Sequence, residues 1–172
     1  MGEERKALRG QELWGALKGV KDTIEEKVPV KFGEVNGEVT VKFVDVDVIQ
    51  DIIEEYEEKK PKKPNIAIKV ANGTKNISVP TTEEKYKAFN TRPDAKEKIK
   101  KWEKECEPIE REKRLRLAYE FMIEVERPEG TLEEALEILD DRLRFMDIVN
   151  IVNKGTELNS LSEQLDEAKN DF

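Results

Sequence analysis

The stretch from Ile109 to Asn153 constrains this chain most. It packs large apolar side chains closely in a sequence that is otherwise 41% charged. Leu115, Ala118, Phe121, Met122 and Val125 recur at helical spacing and predict a helix over 109–126. Arg127-Pro128-Glu129-Gly130 then turns the chain. Thr131 with Glu134 three residues on is a capping box, in which side chain and backbone satisfy each other's polar groups at a helix start. Leu132, Ala135, Leu136 and Leu139 line the helix that follows, and Asp140-Asp141-Arg142 interrupts it. Phe145, Ile148, Val149 and Val152 line a third helix, and Gly155 suits the residue just past its end. Three helices around Phe121, Leu136 and Phe145 form the expected core.

Upstream, Leu13, Leu17, Val20 and Ile24 make one stripe, so residues 1–27 read as an N-terminal amphipathic helix with Trp14 beside the stripe as a candidate partner contact. Residues 28–80 read as a β region of two hairpins. Asn36-Gly37 suits a type I′ turn, which needs positive φ at both central residues. That turn would pair Glu34 with Val39, Phe32 with Val41 and Val30 with Phe43. Asn72-Gly73 would likewise pair Val70 with Lys75, Ile68 with Ile77 and Ile66 with Val79. Between them, Asp47 as N-cap with Gln50 opens a helix over 47–58, which Lys59-Lys60-Pro61-Lys62-Lys63-Pro64 ends. One antiparallel sheet with this helix on its apolar face is the expectation.

Residues 81–158 read as a helical domain. Thr81 with Glu84 caps a short helix reaching Phe89, and Asp94–Glu107 is a solvated helix that Pro108 ends or kinks. Ser160 with Glu163 caps a last amphipathic helix over 159–172. Its stripe of Leu161, Leu165, Ala168 and Phe172 is too short to be stable alone. Together with Leu158 and Trp14, the residues Leu161, Leu165 and Phe172 are the candidate protein-binding set. The fold class expected is α+β, mainly helical: two β-hairpins with a packed helix, then a C-terminal helical cluster.

Charge narrows the function classes. The 31 basic and 39 acidic residues leave a net charge of −8. Residues 128–172 hold four basic against twelve acidic side chains, so the whole excess falls in the last quarter. An acidic end disfavours nucleic acid and membrane surfaces and suits a basic partner. Elsewhere Lys and Glu alternate, and no nucleic-acid or membrane partner is expected. No apolar run reaches membrane-spanning length, and the charged start has no apolar signal region, so a cytoplasmic protein is expected. High Glu and Lys with no His and one Cys resembles thermophile composition.

Chemistry has few footholds. Without His, a Ser-His-Asp or Cys-His centre and a His-ligated metal are excluded. Neither a Walker loop nor a dinucleotide fingerprint occurs. Cys106 lies between Glu105 and Glu107, which oppose thiolate formation. The best enzymatic alternative is the carboxylate face of Glu133, Glu137 and Asp140, with Glu134 and Asp141. Such a face could hold Mg²⁺ for nucleotide pyrophosphate hydrolysis, but it lacks a matching face on a second helix. No enzyme activity, cofactor or metal is expected.

The early hairpin V-P-V-K-F-G-E-V-N-G-E-V-T-V-K-F with its helix, and the helical end L-A-Y-E-F-M-I-E-V-E-R-P-E-G-T-L-E-E-A-L-E-I-L with M-D-I-V-N-I-V-N, resemble tail assembly chaperones of long-tailed bacteriophages. The resemblance covers residues 28–58 and 109–158. It implies a non-enzymatic protein of the infected host's cytoplasm that binds the tape-measure protein and tail-tube subunits. Self-association stays open, as does an interaction or regulatory module with no phage connection.

Overall fold

The computed structural model describes residues 25–170, with side chains described through residue 161. The helix expected over 1–27, with Trp14, lies outside the described residues apart from 25–27, which already belong to a strand. The chain divides into two units. Unit 1 takes residues up to 52 and from 114 onward; unit 2 is residues 53–113. This division replaces the boundaries expected at 80 and 158. The architecture is α+β and mainly helical, with two hairpins.

In unit 1, β1 (Glu25–Phe32) pairs antiparallel with β2 (Val35–Lys42). The register corrects the expected one. Phe32 faces Val35, Val30 faces Gly37 and Val28 faces Val39, so the turn is Gly33-Glu34 and not Asn36-Gly37. Gly33 has φ +57° while Glu34 keeps a negative φ, which matches a type II′ hairpin with Gly at its first central position. The displacement is six residues. Because side chains alternate with period two, an even slip leaves each residue on its expected face. Val28, Val30, Val39 and Val41 are accordingly all buried. The driving difference is Glu34. The expected turn would set it opposite Val39 on the buried face, and the observed turn releases it into the loop.

After β2, α1 (Val46–Lys59) begins one residue before Asp47, with Ile49 N–H donating to Asp45 O. Asp47 is therefore a first-turn acid complementing the helix dipole and not the N-cap. The long helix α2 (Pro93–Phe121) continues past Pro108, which therefore does not end it. Pro108 removes one backbone donor at a cost of about 3 kcal/mol in a helix interior. Cys106 on one side of it and Leu115, Ala118 and Phe121 on the other are buried, and their packing holds both halves in helix. The helix ends at Phe121, so the expected extension to 126 fails, and Val125 is 89% exposed.

The chain then leaves helix to cover the outer edge of β2. Met122 bridges Val41, and Ile123 N–H donates to Thr40 O (3.1 Å). Next, α3 (Leu132–Arg142) starts with both halves of the expected Thr131–Glu134 capping box in place, after a turn in which Gly130 takes φ +112°. Last, α4 (Phe145–Asn170) is one continuous helix. It has no stop at Gly155 and no new start at Ser160, so the separate tail helix is corrected away. Its buried stripe is Ile148, Ile151, Gly155 and Leu158, and it packs on both β1 and β2. Phe145, expected in the core, is 57% exposed.

Gly155 is where α4 crosses the Phe121 ring. A Cβ built there would overlap Cγ, Cδ1 and Cδ2 of that ring. The position therefore demands Gly for close approach in mid-helix and not for a helix end. Two polar residues complete the clasp. Asp147 is 2% exposed, and its carboxylate accepts from Lys31 N–H (3.3 Å). Asn159 is 8% exposed, and its Oδ1 accepts from Val44 N–H (3.3 Å).

In unit 2, β3 (Asn65–Val70) pairs with β4 (Gly73–Ser78) as a separate two-stranded sheet, so the single sheet expected is not formed. Ile66 faces Ile77 and Val70 faces Gly73, placing the turn at Ala71-Asn72, one residue earlier than expected, and shifting the register by two. The slip is again even, and Ile66, Ile68, Ile77 and Val79 are buried with Ala95, packed by Tyr86, Phe89 and Ile99. Thr81 caps no α-helix. Its Oγ1 accepts from Glu83 N–H, and a 3-10 helix follows over Lys87–Thr91. Arg92 and Lys98 donate to the β3 carbonyls of Ala67 (3.0 Å) and Asn65 (2.8 Å). Trp102 Nε1 donates to Pro61 O (2.8 Å), and Tyr56 donates its hydroxyl to Glu112 (3.0 Å). Glu57 and Glu110 share Lys60 and Lys113.

Candidate functional site

Unit 1 carries an apolar cleft of about 330 Å³. Phe32 and Val39 of the hairpin, Met122, and Ile138, Leu139 and Leu143 at the end of α3 form its walls. Glu38, Glu126, Pro128 and Arg142 stand at its rim. Phe32 is 38% exposed and Ile138 42%, so a large aromatic and a large aliphatic side chain open onto solvent. The type II′ turn puts Phe32 at the strand's end, and the capping box fixes where α3 begins.

The rim is held by a dense set of bonds. Glu126 accepts from Thr40 N–H (2.5 Å) and Thr40 Oγ1 (2.8 Å). Arg127 donates to the carbonyls of Met122 (3.1 Å) and Glu120 (3.0 Å), and its guanidinium lies 4.6 Å from the Tyr119 ring centre. Bonds of this kind hold the cleft's margin in place, which lowers the ordering cost of binding. Its walls offer contact area, and its chemistry is apolar with a charged margin. That pattern suits recognition.

The sequence-derived binding set does not gather here. Leu158 is 1% exposed and belongs to the core, because α4 continues past Gly155 and turns that side chain inward; its assignment to a binding surface is corrected. Leu161 is 47% exposed on α4. Trp14, Leu165 and Phe172 lie outside the described side chains. Phe32 and Ile138 were missed. Phe32 was placed opposite Val41 on the wrong register, and Ile138 falls off the Leu132, Ala135, Leu136, Leu139 stripe. An apolar residue off the buried stripe, near a helix end, is the signal that could have found it.

The acidic face of α3 is exposed at Glu133 and Glu137, with Asp140 half-buried. Among the described residues, no three His, Cys, Asp or Glu side chains are grouped to hold a metal ion. Cys106 is buried, and burial pushes its thiol pKa up, with Glu110 and Glu105 adding to the effect against an opposing Lys60. The Arg144 guanidinium holds the Asp147 carboxyl below the usual carboxylate range through paired 3.0 Å bonds, aided by Lys31 N–H. Asp147 lies under the hairpin and serves the fold. No described helix is long and apolar enough to cross a membrane.

Comparison with protein-family models, curated proteins and solved structures found no match to this chain.

Proposed function

We propose that this chain is a non-catalytic protein-binding assembly factor whose unit 1 cleft takes the apolar face of a basic amphipathic helix from a partner. The observation that carries the reading is the open apolar cleft between Phe32 and Ile138. Charge complementarity supports the choice of occupant. Residues 129–141 hold Glu129, Glu133, Glu134, Glu137, Asp140 and Asp141 with no basic residue among them. The cleft lining itself carries Glu38 and Glu126 against one cation, Arg142, and the end of the acidic α3 forms one wall; that balance favours a lysine-rich helix, with apolar anchors for affinity and charges for orientation and encounter rate. In its sharper form, following the tail-chaperone resemblance, the partners are a tape-measure protein and tail-tube subunits.

The test is calorimetric titration of the full chain with an 18-residue Leu/Lys amphipathic helical peptide, beside Ile138→Glu. The peptide should bind the natural chain, and Ile138→Glu should weaken binding at least about tenfold while leaving the melting temperature within a few degrees. Equal binding to both proteins would refute the cleft as the site. If the gene lies beside a tape-measure gene, co-purification of that protein, lost in Ile138→Glu, tests the sharper form.

A further inference from the structure

Unit 2 has a different surface chemistry, which the linear alternation of Lys and Glu conceals. Unit 2 holds sixteen Lys and Arg against thirteen Asp and Glu, and its basic excess is concentrated in residues 59–104, fourteen against five, inside a chain of net −8. Ion pairs occupy Lys59, Lys60, Lys85, Lys87 and Arg92. The other nine, all lysines, have no carboxylate within ion-pair distance among the described residues. Glu97 and Glu105 lie four residues to either side of Lys101, about one helical turn away, but among the described ion pairs neither reaches it.

Three of them converge. Lys62, Lys98 and Lys101 line a cleft of about 270 Å³ with Pro64 and Trp102. Lys98 is anchored there by its bond to Asn65 O, and Trp102 by its bond to Pro61 O. Lys63 lies 6.0 Å from the Trp102 ring centre and donates to Pro80 O. Glu105 is the one carboxylate on the lining. A second aromatic ring, Tyr86, is framed by Lys85 at 4.7 Å and Lys75 at 5.2 Å. Lysines set around half-buried aromatic rings combine charge for phosphates with flat surfaces for bases.

We infer that unit 2 binds the phosphate backbone of nucleic acid through Lys62, Lys98 and Lys101, without reading sequence. The inference is independent of the protein-binding cleft. The acidic excess of residues 128–172 does not forbid it, because charges farther apart than about 8–10 Å are largely screened at physiological ionic strength. Acidic protein is the competing ligand. The aromatic rings among the lysines favour nucleic acid over it.

The experiment is fluorescence anisotropy on the full chain with a labelled 30-nucleotide single strand of mixed sequence and with its duplex. Three phosphate contacts predict that raising salt from about 50 to 200 mM weakens single-strand binding about 20-fold and duplex binding about 40-fold. The tighter of the two at fixed salt identifies the form bound. Lys62→Glu with Lys101→Glu, both exposed and without a carboxylate partner among the described residues, should weaken binding at least about tenfold and flatten the salt dependence. Lys62→Arg with Lys101→Arg should retain it. Lys27→Glu with Lys31→Glu changes net charge equally on unit 1 and should stay within about twofold. Absence of binding at 50 mM salt would overturn the inference. So would equal loss in the unit 1 variant, or displacement of the strand by polyglutamate of equal charge.

Discussion

Replacing Gly155 by Ala separates two accounts of that residue. On an ordinary helix surface the change stabilises by about 1 kcal/mol, because Gly costs that much relative to Ala. Here the new Cβ would overlap three atoms of the Phe121 ring, which is 1% exposed and lies at the end of α2. Forcing a methyl group into a filled core costs typically about 1–3 kcal/mol, and more where the neighbour cannot turn aside. Phe121 is enclosed on all sides, so the upper part of that range applies. The net expectation is destabilisation on the order of 2 kcal/mol, a fall of about 4–8 °C in melting temperature for a chain of this size. Urea unfolding followed by helical circular dichroism measures it. The double-mutant cycle with Phe121→Leu gives the decisive number. In that background the Ala methyl group has room, and Gly155→Ala should become neutral or stabilising. Stabilisation by Gly155→Ala in the natural chain would refute the reasoning. So would an undiminished penalty beside Leu at 121, since a clash with backbone strain as its origin has no reason to depend on that ring.

Pro108→Ala should raise stability by about 1–3 kcal/mol, since Ala restores the missing donor in a helix that already runs through the position; an unchanged melting temperature would show that the helix ends there. Asp147→Asn should cost about 1.5–3 kcal/mol at neutral pH, because charged hydrogen bonds to Arg144 and to Lys31 N–H are lost or weakened. The folded pKa of Asp147 is depressed, so its contribution is full above the unfolded value near 4 and is lost as pH falls through the folded value. The stability gap between the natural chain and Asp147→Asn should therefore be full at pH 7 and narrow as pH falls below the unfolded value and through the folded one, and a pH-independent gap would contradict the assignment.

The periodicities in the sequence predicted faces better than positions. Both hairpins were legible as alternating runs, and their buried residues were the expected ones, because even slips preserve the face. The turns were not legible, since a local preference for Asn-Gly competes with the global cost of setting Glu34 against Val39. The capping box at Thr131 was readable because it closes within four residues. A helix end at Pro108 and one at Gly155 both fail for one reason. Each residue looks locally like a helix end, and tertiary packing decides otherwise: buried residues flank Pro108 on both sides, and Phe121 claims the space beside Gly155. The unit 1 cleft was hidden because Phe32 and Ile138 approach each other only after the hairpin and α3 are packed, more than a hundred residues apart in sequence.

The bonds from Asp147 to Lys31 and from Asn159 to Val44 span 116 and 115 residues. On the ribosome, the hairpin made of residues 25–42 emerges long before the helix that fastens it. At roughly 5–20 residues per second, about 5–20 s pass between synthesis of the hairpin and synthesis of its clasp. Two strands alone are marginal in water, so the nascent chain carries an unsecured valine face through that interval. Residues 53–113 are contiguous and form one compact unit, so they are complete on the ribosome while the first strands wait. Ribosome-bound chains truncated before residue 147 should accordingly leave the hairpin open to protease while the middle segment is already resistant.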